Sequence, residues 1–493
     1  MFKPDFEEFK KLCGQGNMVP VCYEMLADLE TPVSVLSRFI DEEHAALFES
    51  IEGGERWGRY SAIGIRPFGI FKVQDGVPTF ESNGKIETLD APEGPFFALR
   101  QIMKRYQIVD IPNMPRFYAG ALGYLGYNSI AEFEKMPAPK KPLTEPTAYF
   151  MLFDQAVIFD NIRHTMRLVA CANLDKHPDP KQAFDIACAE IEAMRKRLAE
   201  PVQIESAHAE FCMDMIKSNM TKEYFYEMVA KAKERIIAGD IIQVVLSQRF
   251  STPQTVPPLQ LYRALRLVNP SPYMFFLKTG KDKYLIGSSP EVMVRLNNGK
   301  AELRPIAGTR PRGATDVADR ENTNALLNDE KERAEHLMLV DLGRNDLGRV
   351  AQPASVQVRE LMVIEKYSHV MHLVSNVESV IKPGMDAFDL IRSTFPAGTL
   401  SGAPKISAMK IINELEPEPR EIYGGCVGYI NFNGNMDMAI TIRTMELRDG
   451  MIYVQAGGGH VYDSEPEYEY NETRHKAGAL FRALELAANN LEI

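Results

Sequence analysis

Two pairs of glutamates in the last third of the chain have a spacing that could hold a cation. Glu332 and Glu335 lie three residues apart, and so do Glu469 and Glu472. If both segments are helical, each pair shares one face, where like charges destabilise a helix by about 0.2–0.5 kcal/mol. Four carboxylates without a His or Cys cluster are ligands of the type that Mg²⁺ prefers. Taken alone, each pair is more typical of a solvated helix face, and the neighbouring motifs favour the metal site.

Three glycine-containing segments could bind an anion. Residues 305–313 (PIAGTRPRG) predict a turn whose amides and hydroxyl could hold a carboxylate, although an ordinary surface turn fits equally. Residues 394–405 (TFPAGTLSGAPK) predict a loop that runs into a helix, whose N-terminus could hold an anion. Residues 456–460 (AGGGH) follow an apolar strand and give only a weak signal. None of the three has the spacing of a P-loop or of a dinucleotide fingerprint.

Three single residues are candidates for chemistry. Glu291 follows a strand that reads as buried, and alone it fits a capping acid. Arg443 comes directly after an apolar run in a strand predicted over 437–447, and a buried arginine usually has an anionic partner. His372 alone is more typical of a structural histidine than of a base.

Composition indicates a globular enzyme without nucleic-acid or membrane partners. The 493 residues suffice for two lobes, and 56 Lys+Arg against 67 Asp+Glu give a net charge of −11. That charge disfavours nucleic acid and anionic membranes, but it leaves room for a local basic pocket. The six cysteines show no metal-type pairing, as expected of reduced thiols. With no apolar stretch of membrane length and no secretory signal, we expect a cytoplasmic protein.

Element patterns predict an α+β protein with antiparallel sheets. Short strands alternate with turns up to about residue 171, and an amphipathic helix over 180–199 leads into a polar connector. We therefore place a lobe boundary in that connector, giving lobes at 1–205 and 206–493. In the second lobe we predict one long helix over about 319–340, another over 404–415 and a closing helix over about 468–489.

These segments together resemble the chorismate-utilising enzymes over roughly residues 215–490. The shared motifs, in the family's order, are GSSPE, PIAGTRPRG, the ExxEH helix, SHVMHLVS, FPAGTLSGAPK, IYGGCVGYI, AITIRT, AGGGHVYDS and ExxExxxK. The resemblance implies a two-lobed fold in which packed antiparallel sheets are flanked by helices.

The resemblance also implies a role for each matching residue. Glu335 and Glu472 would bind Mg²⁺, with Glu332 and Glu469 acting through water. Glu291 would be the general acid for the C4 hydroxyl of chorismate, with His372 near the reacting ring. The groups that would hold the two carboxylates of chorismate are Gly308, Thr309, Thr399 (also counted with the catalytic set), Tyr423, Arg443, Gly457, Gly458, Gly459 and Lys476. His460 departs from the family, where an aliphatic residue is commoner.

Two positions select a branch of the family. Isochorismate and salicylate formers carry a water-activating lysine where this chain has Gln243, which cannot act as a base, so the nucleophile should be ammonia. Aminodeoxychorismate formers commonly have a nucleophilic lysine where this chain has Ala307. Ammonia should therefore attack C2 directly, and loss of pyruvate would give anthranilate.

The first lobe resembles a tryptophan feedback segment. Residues 47–50 (LFES) and 58–61 (GRYS) match one half of it, and 269–274 (NPSPYM) match the other. The implied tryptophan-binding residues are Glu49, Ser50, Asn269, Pro272, Tyr273 and Met274. Without the family, an ordinary strand–turn pair is the simpler interpretation.

The implied partners are chorismate, ammonia, tryptophan as inhibitor and a separate glutamine amidotransferase subunit, in a heterotetramer. No cysteine lies in a glutaminase-like setting, which is why a second subunit should supply the ammonia. Two alternatives remain open: an aminodeoxychorismate synthase and a catalytically silent tryptophan-sensing subunit. The complete set of acids, Arg443 and Lys476 disfavours the silent subunit, which has no need of them.

Overall fold

The computed structural model describes residues 1–50, 59–112, 114–202, 209–367 and 370–492. The helices within these ranges are α1 Phe6–Leu12, α2 Pro32–Ser37, α3 Ala98–Met103, α4 Pro180–Leu198, α5 Lys222–Ile237, α6 Pro258–Val268, α7 Asp316–Asn328, α8 Glu330–Val350, α9 Ala387–Thr394, α10 Lys405–Leu415 and α11 Pro466–Ala488.

The strands in the first half of the chain are β1 Phe2–Lys3, β2 Met18–Leu26, β3 Ala45–Glu49, β4 Tyr60–Ile65, β5 Gly69–Gln74, β6 Val77–Ser82, β7 Lys85–Thr88, β8 Gly120–Leu125, β9 Ala148–Phe153, β10 Gln155–Asp160, β11 Thr165–Asn173 and β12 Lys217–Ser218. Those in the second half are β13 Gln243–Pro253, β14 Tyr273–Gly280, β15 Lys283–Ser289, β16 Val292–Asn297, β17 Lys300–Leu303, β18 Ile306–Pro311, β19 Gln357–Lys366, β20 Val370–Val380, β21 Gly402–Ala403, β22 Cys426–Asn431, β23 Met436–Ile440, β24 Thr444–Arg448 and β25 Met451–His460.

Two antiparallel sheets organise the molecule. One has the order β1-β2-β11-β10-β4-β3-β14-β15-β24-β25-β13-β12, with β21 on β13. The other has the order β18-β20-β17-β16-β23-β22-β8-β9-β5-β6-β7, with β19 on β20. Both sheets contain strands from early and late in the chain, because β3 pairs with β14 and β8 pairs with β22.

The sheets pack face to face, and helices cover their outer faces. Apolar side chains from β3, β4 and β14 meet those from β8, β9 and β22 in a shared cluster that includes Ala46, Phe275 and Met151. Helices α4, α6 and α11 bury their apolar faces on the outside of the first sheet, and α3, α8 and α9 do so on the second. Burial of these side chains is the main stabilising contribution, at about 25 cal/mol per Å² of apolar surface.

The α+β class with packed antiparallel sheets is confirmed, but three local predictions were wrong. The helix predicted over 319–340 is two helices, because the Asp329 side chain accepts a hydrogen bond from Glu332 N and starts α8 there. The strand predicted over 437–447 is interrupted before Arg443, which has φ +50°. Residues 306–311, predicted as a turn, form β18 beside β20.

The lobe boundary predicted near residue 205 falls within 203–208, outside the described residues, and stays a prediction. In the described ranges no helix is long and apolar enough to cross a membrane.

Candidate active site

Both acidic pairs lie on helices, and the pair on the second of these helices faces a glycine-rich strand. Glu332 and Glu335 are in the first turns of α8, and Glu469 and Glu472 are in the first turns of α11. A Cβ at Gly458 on β25 would lie 2.5 Å from Glu472 Oε2 and 3.1 Å from Glu469 Oε2, so a larger residue here would displace these carboxylates.

Gln243 brings the other acidic helix to the same strand. Its Nε2 donates to Glu335 Oε1 at 3.4 Å, and the same nitrogen would be 2.4 Å from a Cβ at Gly459. Glu472 therefore lies beside Gly458, and Glu335 is linked to the neighbouring Gly459 through the Gln243 side chain.

The carboxylates fit a hard divalent cation. Burial and the nearby charge of Glu335 raise the pKa of Glu332, and burial together with Glu472 raises that of Glu469. Glu469 Oε2 is buried without a hydrogen-bond partner among the described residues. No three His, Cys, Asp or Glu side chains in those residues are grouped closely enough to hold a metal by themselves. Glu335 and Glu472 would thus need oxygens from substrate or water to complete an Mg²⁺ ligand set.

Lys476 and Tyr423 border the glycine strand. Glu472 precedes Lys476 by one turn of α11, and Lys476 Nζ lies 2.9 Å from Glu472 Oε1. The same ammonium group donates to Gly457 O at 3.0 Å. The Tyr423 hydroxyl is 3.0 Å from where a Cβ at Gly457 would be, and burial raises the pKa of Tyr423 to about 12. A protonated phenol and an ammonium are therefore available as hydrogen-bond donors to an anion.

Arg443 is a half-buried cation. Within the described part of the chain its guanidinium makes no hydrogen bond or ion pair, although Tyr423, Glu291 and Glu472 are near enough to interact electrostatically. Burial lowers the pKa of Arg443 against the opposing effect of these groups. A half-buried guanidinium without an ion-pair partner in the described residues favours an anionic ligand.

Glu291 has the properties of a general acid. It follows β15, and Thr399 Oγ1 donates to its Oε1 at 2.7 Å from a short 3₁₀ turn at Gly398–Leu400. Burial raises the pKa of Glu291 to about 7, although Thr399, Arg443 and Lys476 act in the opposite direction. A large fraction of Glu291 is thus protonated near neutral pH.

His372, Gly308 and Thr309 form the wall beside α8. His372 Nδ1 lies 2.9 Å from Gly308 O and 3.1 Å from Thr309 Oγ1, on paired strands β20 and β18. Burial lowers the pKa of His372, so the ring is neutral and its Nδ1–H donates to Gly308 O. Gly308 has φ +66°, and a Cβ there would be 3.0 Å from Glu332 Oε2.

The sequence analysis missed a buried ion pair behind the site. Glu416 and Arg420 lie 2.6 Å apart and are almost fully buried. Glu416 accepts from Ser247 N and Oγ, while Arg420 donates to Leu400 O and Val245 O. This pair ties β13 to the turn that carries Thr399. The only signal was the charged run between α10 and the next apolar strand, which also fits a surface loop.

The predicted feedback residues also come together. Glu49 on β3 pairs with Met274 on β14, and it accepts from Tyr262 Oη at 2.5 Å and Arg266 Nε at 2.9 Å. A cavity of about 270 Å³ beside them is lined by Phe48, Glu49, Ser50, Arg59, Tyr60, Ala62, Arg116, Phe117, Ile158, Pro272, Tyr273, Arg295, Tyr429 and Asp437.

Two of the six predicted residues do not line that cavity. Met274 is fully buried in the core, and Asn269, at the end of α6, hydrogen-bonds Ser288. Gly58, part of the same sequence motif, lies outside the described residues.

Comparison with known proteins identifies one family. The model of the chorismate binding enzyme family matches residues 46–482. Anthranilate synthase component 1 of Pseudomonas putida is 45% identical over 98% of both chains, and that of Aquifex aeolicus is 44% identical over 99% of this chain and 98% of the relative. The crystal structure of anthranilate synthase component I from Streptococcus pneumoniae matches with a TM-score of 0.77 and 33% identity, covering 93% of this chain and 99% of that one. The menaquinone-specific isochorismate synthase from Escherichia coli shares the fold, with a TM-score of 0.71 at 16% identity over 97% and 98% of the two chains.

Proposed function

The chain belongs to the family of chorismate binding enzymes, and from this premise we propose that it is the large subunit of an anthranilate synthase. In the proposed reaction ammonia adds to C2 of chorismate as the C4 hydroxyl leaves as water. Loss of the C2 proton and of pyruvate then gives anthranilate, the first aromatic product on a route to tryptophan. The names of the full-length relatives support this assignment.

The observation that carries the proposal is the environment of Glu291. With a pKa of about 7 and a hydrogen bond from Thr399, it can deliver a proton to a leaving hydroxyl at neutral pH. Arg443 nearby can bind a substrate carboxylate and so fix the ring against this acid. A neutral His372 would bound the ring on the opposite, β18–β20 side without adding charge.

The carboxylates of chorismate match the donors around β25. Lys476, the Tyr423 hydroxyl, Arg443 and the amides of 457–459 would bind them, together with Gly308 and Thr309 on the other wall. Glu335 and Glu472 would hold Mg²⁺, with Glu332 and Glu469 acting through water, and the ion would supply positive charge beside the ring carboxylate.

Gln243 and Ala307 support ammonia as the nucleophile. The Gln243 amide cannot deprotonate water, whereas ammonia needs no base before it attacks. Ala307 offers no side-chain nucleophile for a covalent intermediate. A glutamine amidotransferase subunit would supply the ammonia, in a heterotetramer.

The cavity beside Ser50 is the proposed tryptophan site. Glu49, at its edge, carries a carboxylate that could pair with an ammonium, and Pro272 and Tyr273 offer apolar surface to an indole. Tryptophan bound there would inhibit the enzyme. We propose that the first lobe, residues 1–205, carries the feedback segment and that residues 206–493 form the catalytic domain.

A single assay tests the function. Purified chain is incubated with chorismate, Mg²⁺ and an ammonium salt, and fluorescent anthranilate is expected. A para-amino product, separated by chromatography, would instead indicate an aminodeoxychorismate synthase. Absence of any product, with tryptophan still bound, would indicate a silent sensing subunit.

A further inference from the structure

Four adjacent strands connect the edge of the cavity beside Ser50 to Arg443. In the sheet order β3, β14, β15 and β24, Glu49 pairs with Met274, and Met274 pairs with Ser288. Strand β24 begins directly after Arg443 and pairs with the glycine before Ser288. A line of paired residues therefore leads from the cavity edge to Arg443, and neighbouring strands along it are about 5 Å apart.

Ser288 lies on this line and contacts both Arg443 and Asn269, the first residue of the 269–274 segment. It is fully buried, and its hydroxyl donates to Asn269 O at the end of α6 and accepts from Asn269 Nδ2 at 3.3 Å. Its backbone N–H donates to Arg443 O at 3.1 Å. The hydroxyl thus holds the residue that begins the 269–274 segment, and the amide holds Arg443.

Arg443 is sensitive to such a contact. Its φ of +50° lies in the left-handed region, which is strained for a non-glycine residue and persists only where neighbours impose it. The Ser288 N–H is one of those neighbours. Since no side chain among the described residues fixes the guanidinium, a small rotation of the backbone would re-aim it.

We propose that Ser288 is the positioning residue through which the cavity controls the orientation of Arg443. Tryptophan in the cavity would press on Pro272 and Tyr273, move Asn269 and, through the Ser288 hydroxyl, turn Arg443 away from the chorismate carboxylate. This inference rests on the proposed function, since it assigns the regulation of that site. By linkage, chorismate must then weaken tryptophan binding by the same factor that tryptophan weakens chorismate binding.

A second chain of contacts runs through the other sheet. Tyr273 Oη donates to Asp437 Oδ1 at 2.8 Å on β23, and Ile440 N on the same strand donates to Glu291 O at 3.0 Å. This path leads to the general acid and bypasses Arg443. The test must therefore separate an effect on chorismate binding from an effect on turnover.

The test is the variant Ser288→Ala, which removes the hydroxyl and keeps the backbone N–H. Calorimetry gives the Kd of L-tryptophan with and without saturating chorismate, in Mg²⁺ and without ammonia. We expect chorismate to weaken tryptophan binding to the natural chain by about 5–150-fold, the usual range of allosteric coupling. In Ser288→Ala this factor should fall close to 1, while the tryptophan Kd without chorismate and the tryptophan-free kcat and KM stay near their original values.

Controls make each outcome decisive. Ser379→Ala removes another buried serine hydroxyl, on β20, and should leave the coupling factor unchanged. An unchanged factor in Ser288→Ala, with inhibition acting on kcat, would overturn the proposal in favour of the Tyr273–Asp437 path. Loss of tryptophan binding itself would also overturn it.

If Ser288→Ala does not fold, Ser288→Cys, a weaker donor of similar size, should give an intermediate factor. Failure of the natural chain to form anthranilate would instead contradict the proposed function, because the binding measurements need no turnover.

Discussion

At the scale of single residues, burial decides which acids can do chemistry. Glu291 and Glu132 are both carboxyls whose pKa burial raises to about 7, yet they have different neighbours. Glu132 accepts a backbone hydrogen bond from Phe96 N, whereas Glu291 has Thr399 and Arg443 beside it. The raised pKa of Glu132 therefore belongs to a structural carboxyl, whereas the raised pKa of Glu291 belongs to a carboxyl that could protonate a bound substrate.

Glu291→Gln should lower kcat by about 10²–10⁴-fold, the usual contribution of a general acid, with little change in KM for chorismate. Because the acid must be protonated, kcat of the natural chain should be flat below pH 7 and fall above it. The measurement is kcat against pH at constant free ammonia, so that the ionisation of ammonium does not enter.

Glu132→Gln is the matched control, since it removes a carboxyl with a similar pKa outside the site. It should keep both the rate and the pH profile. A Glu291→Gln enzyme with the original profile would assign the fall in rate to another group.

Glu335→Ala and Glu472→Ala should each abolish turnover while leaving the fold intact. Each removes one proposed Mg²⁺ ligand, so we also expect weaker binding of Mg²⁺ in calorimetry with chorismate present. Circular dichroism checks the fold. Glu330→Ala, an exposed acid at the start of the same helix, should behave as the natural chain does. Full activity of either site variant without added Mg²⁺ would contradict the metal assignment.

At the scale of elements, capping and backbone conformation set boundaries that periodicity misses. The apolar pattern continues across 319–340, but Asp329 ends α7 and caps α8, and this places Glu332 and Glu335 in the first turns of a new helix. Likewise the run before Arg443 reads as one strand, because a positive φ at a non-glycine residue leaves no mark in composition. Both errors fall at the site, where function outweighs local propensity.

Gly458→Ala should disable the site through β25 without unfolding the sheet. The added Cβ would lie 2.5 Å from Glu472 Oε2, so that carboxylate must move away from the glycine strand. We expect a large rise in KM for chorismate and in the Mg²⁺ concentration required, measured by steady-state kinetics.

Gly280→Ala on β14 is the control, because open space surrounds its Cβ position. It should leave both constants unchanged. Unchanged kinetics in Gly458→Ala would show that Glu472 does not need its present position.

Ser50→Phe should relieve inhibition by tryptophan while turnover stays intact. Ser50 lines the cavity at the end of β3, and a benzyl group there would fill the space proposed for the indole. The measurement is the rate of anthranilate formation against tryptophan concentration. Unchanged inhibition would remove Ser50 from the regulatory site.

At the scale of the whole molecule, the family's sequence motifs predicted the grouping of the site residues, whereas local apolar periodicity did not. The acidic pairs, Glu291, Arg443 and the glycine strand are far apart in sequence, and no local rule predicts that α8 and α11 converge on β25. The family resemblance implied a shared site, and in the structure Gln243 contacts Glu335 while Gly458 lies beside Glu472. The Glu416–Arg420 pair could not be predicted, because its partners are backbone atoms that only the folded chain brings together.

The interleaving of the sheets was equally beyond the sequence. Strand alternation predicts antiparallel sheets, but the pairing of β3 with β14 joins residues more than two hundred positions apart. That pairing places β3, at the edge of the cavity beside Ser50, in the same sheet as β24 and β25. The proposed feedback cavity and the strand that follows Arg443 thus border one continuous sheet, although their motifs lie in separate parts of the sequence.

The most direct test of the central claim is the position of nitrogen in the product. The purified chain is incubated with chorismate, Mg²⁺ and ¹⁵N-ammonium, and the product is analysed by NMR. The account predicts anthranilate with ¹⁵N on the ring carbon next to the carboxylate-bearing carbon, together with free pyruvate. A product with ¹⁵N at the para carbon, or a hydroxylated product without ¹⁵N, would contradict it.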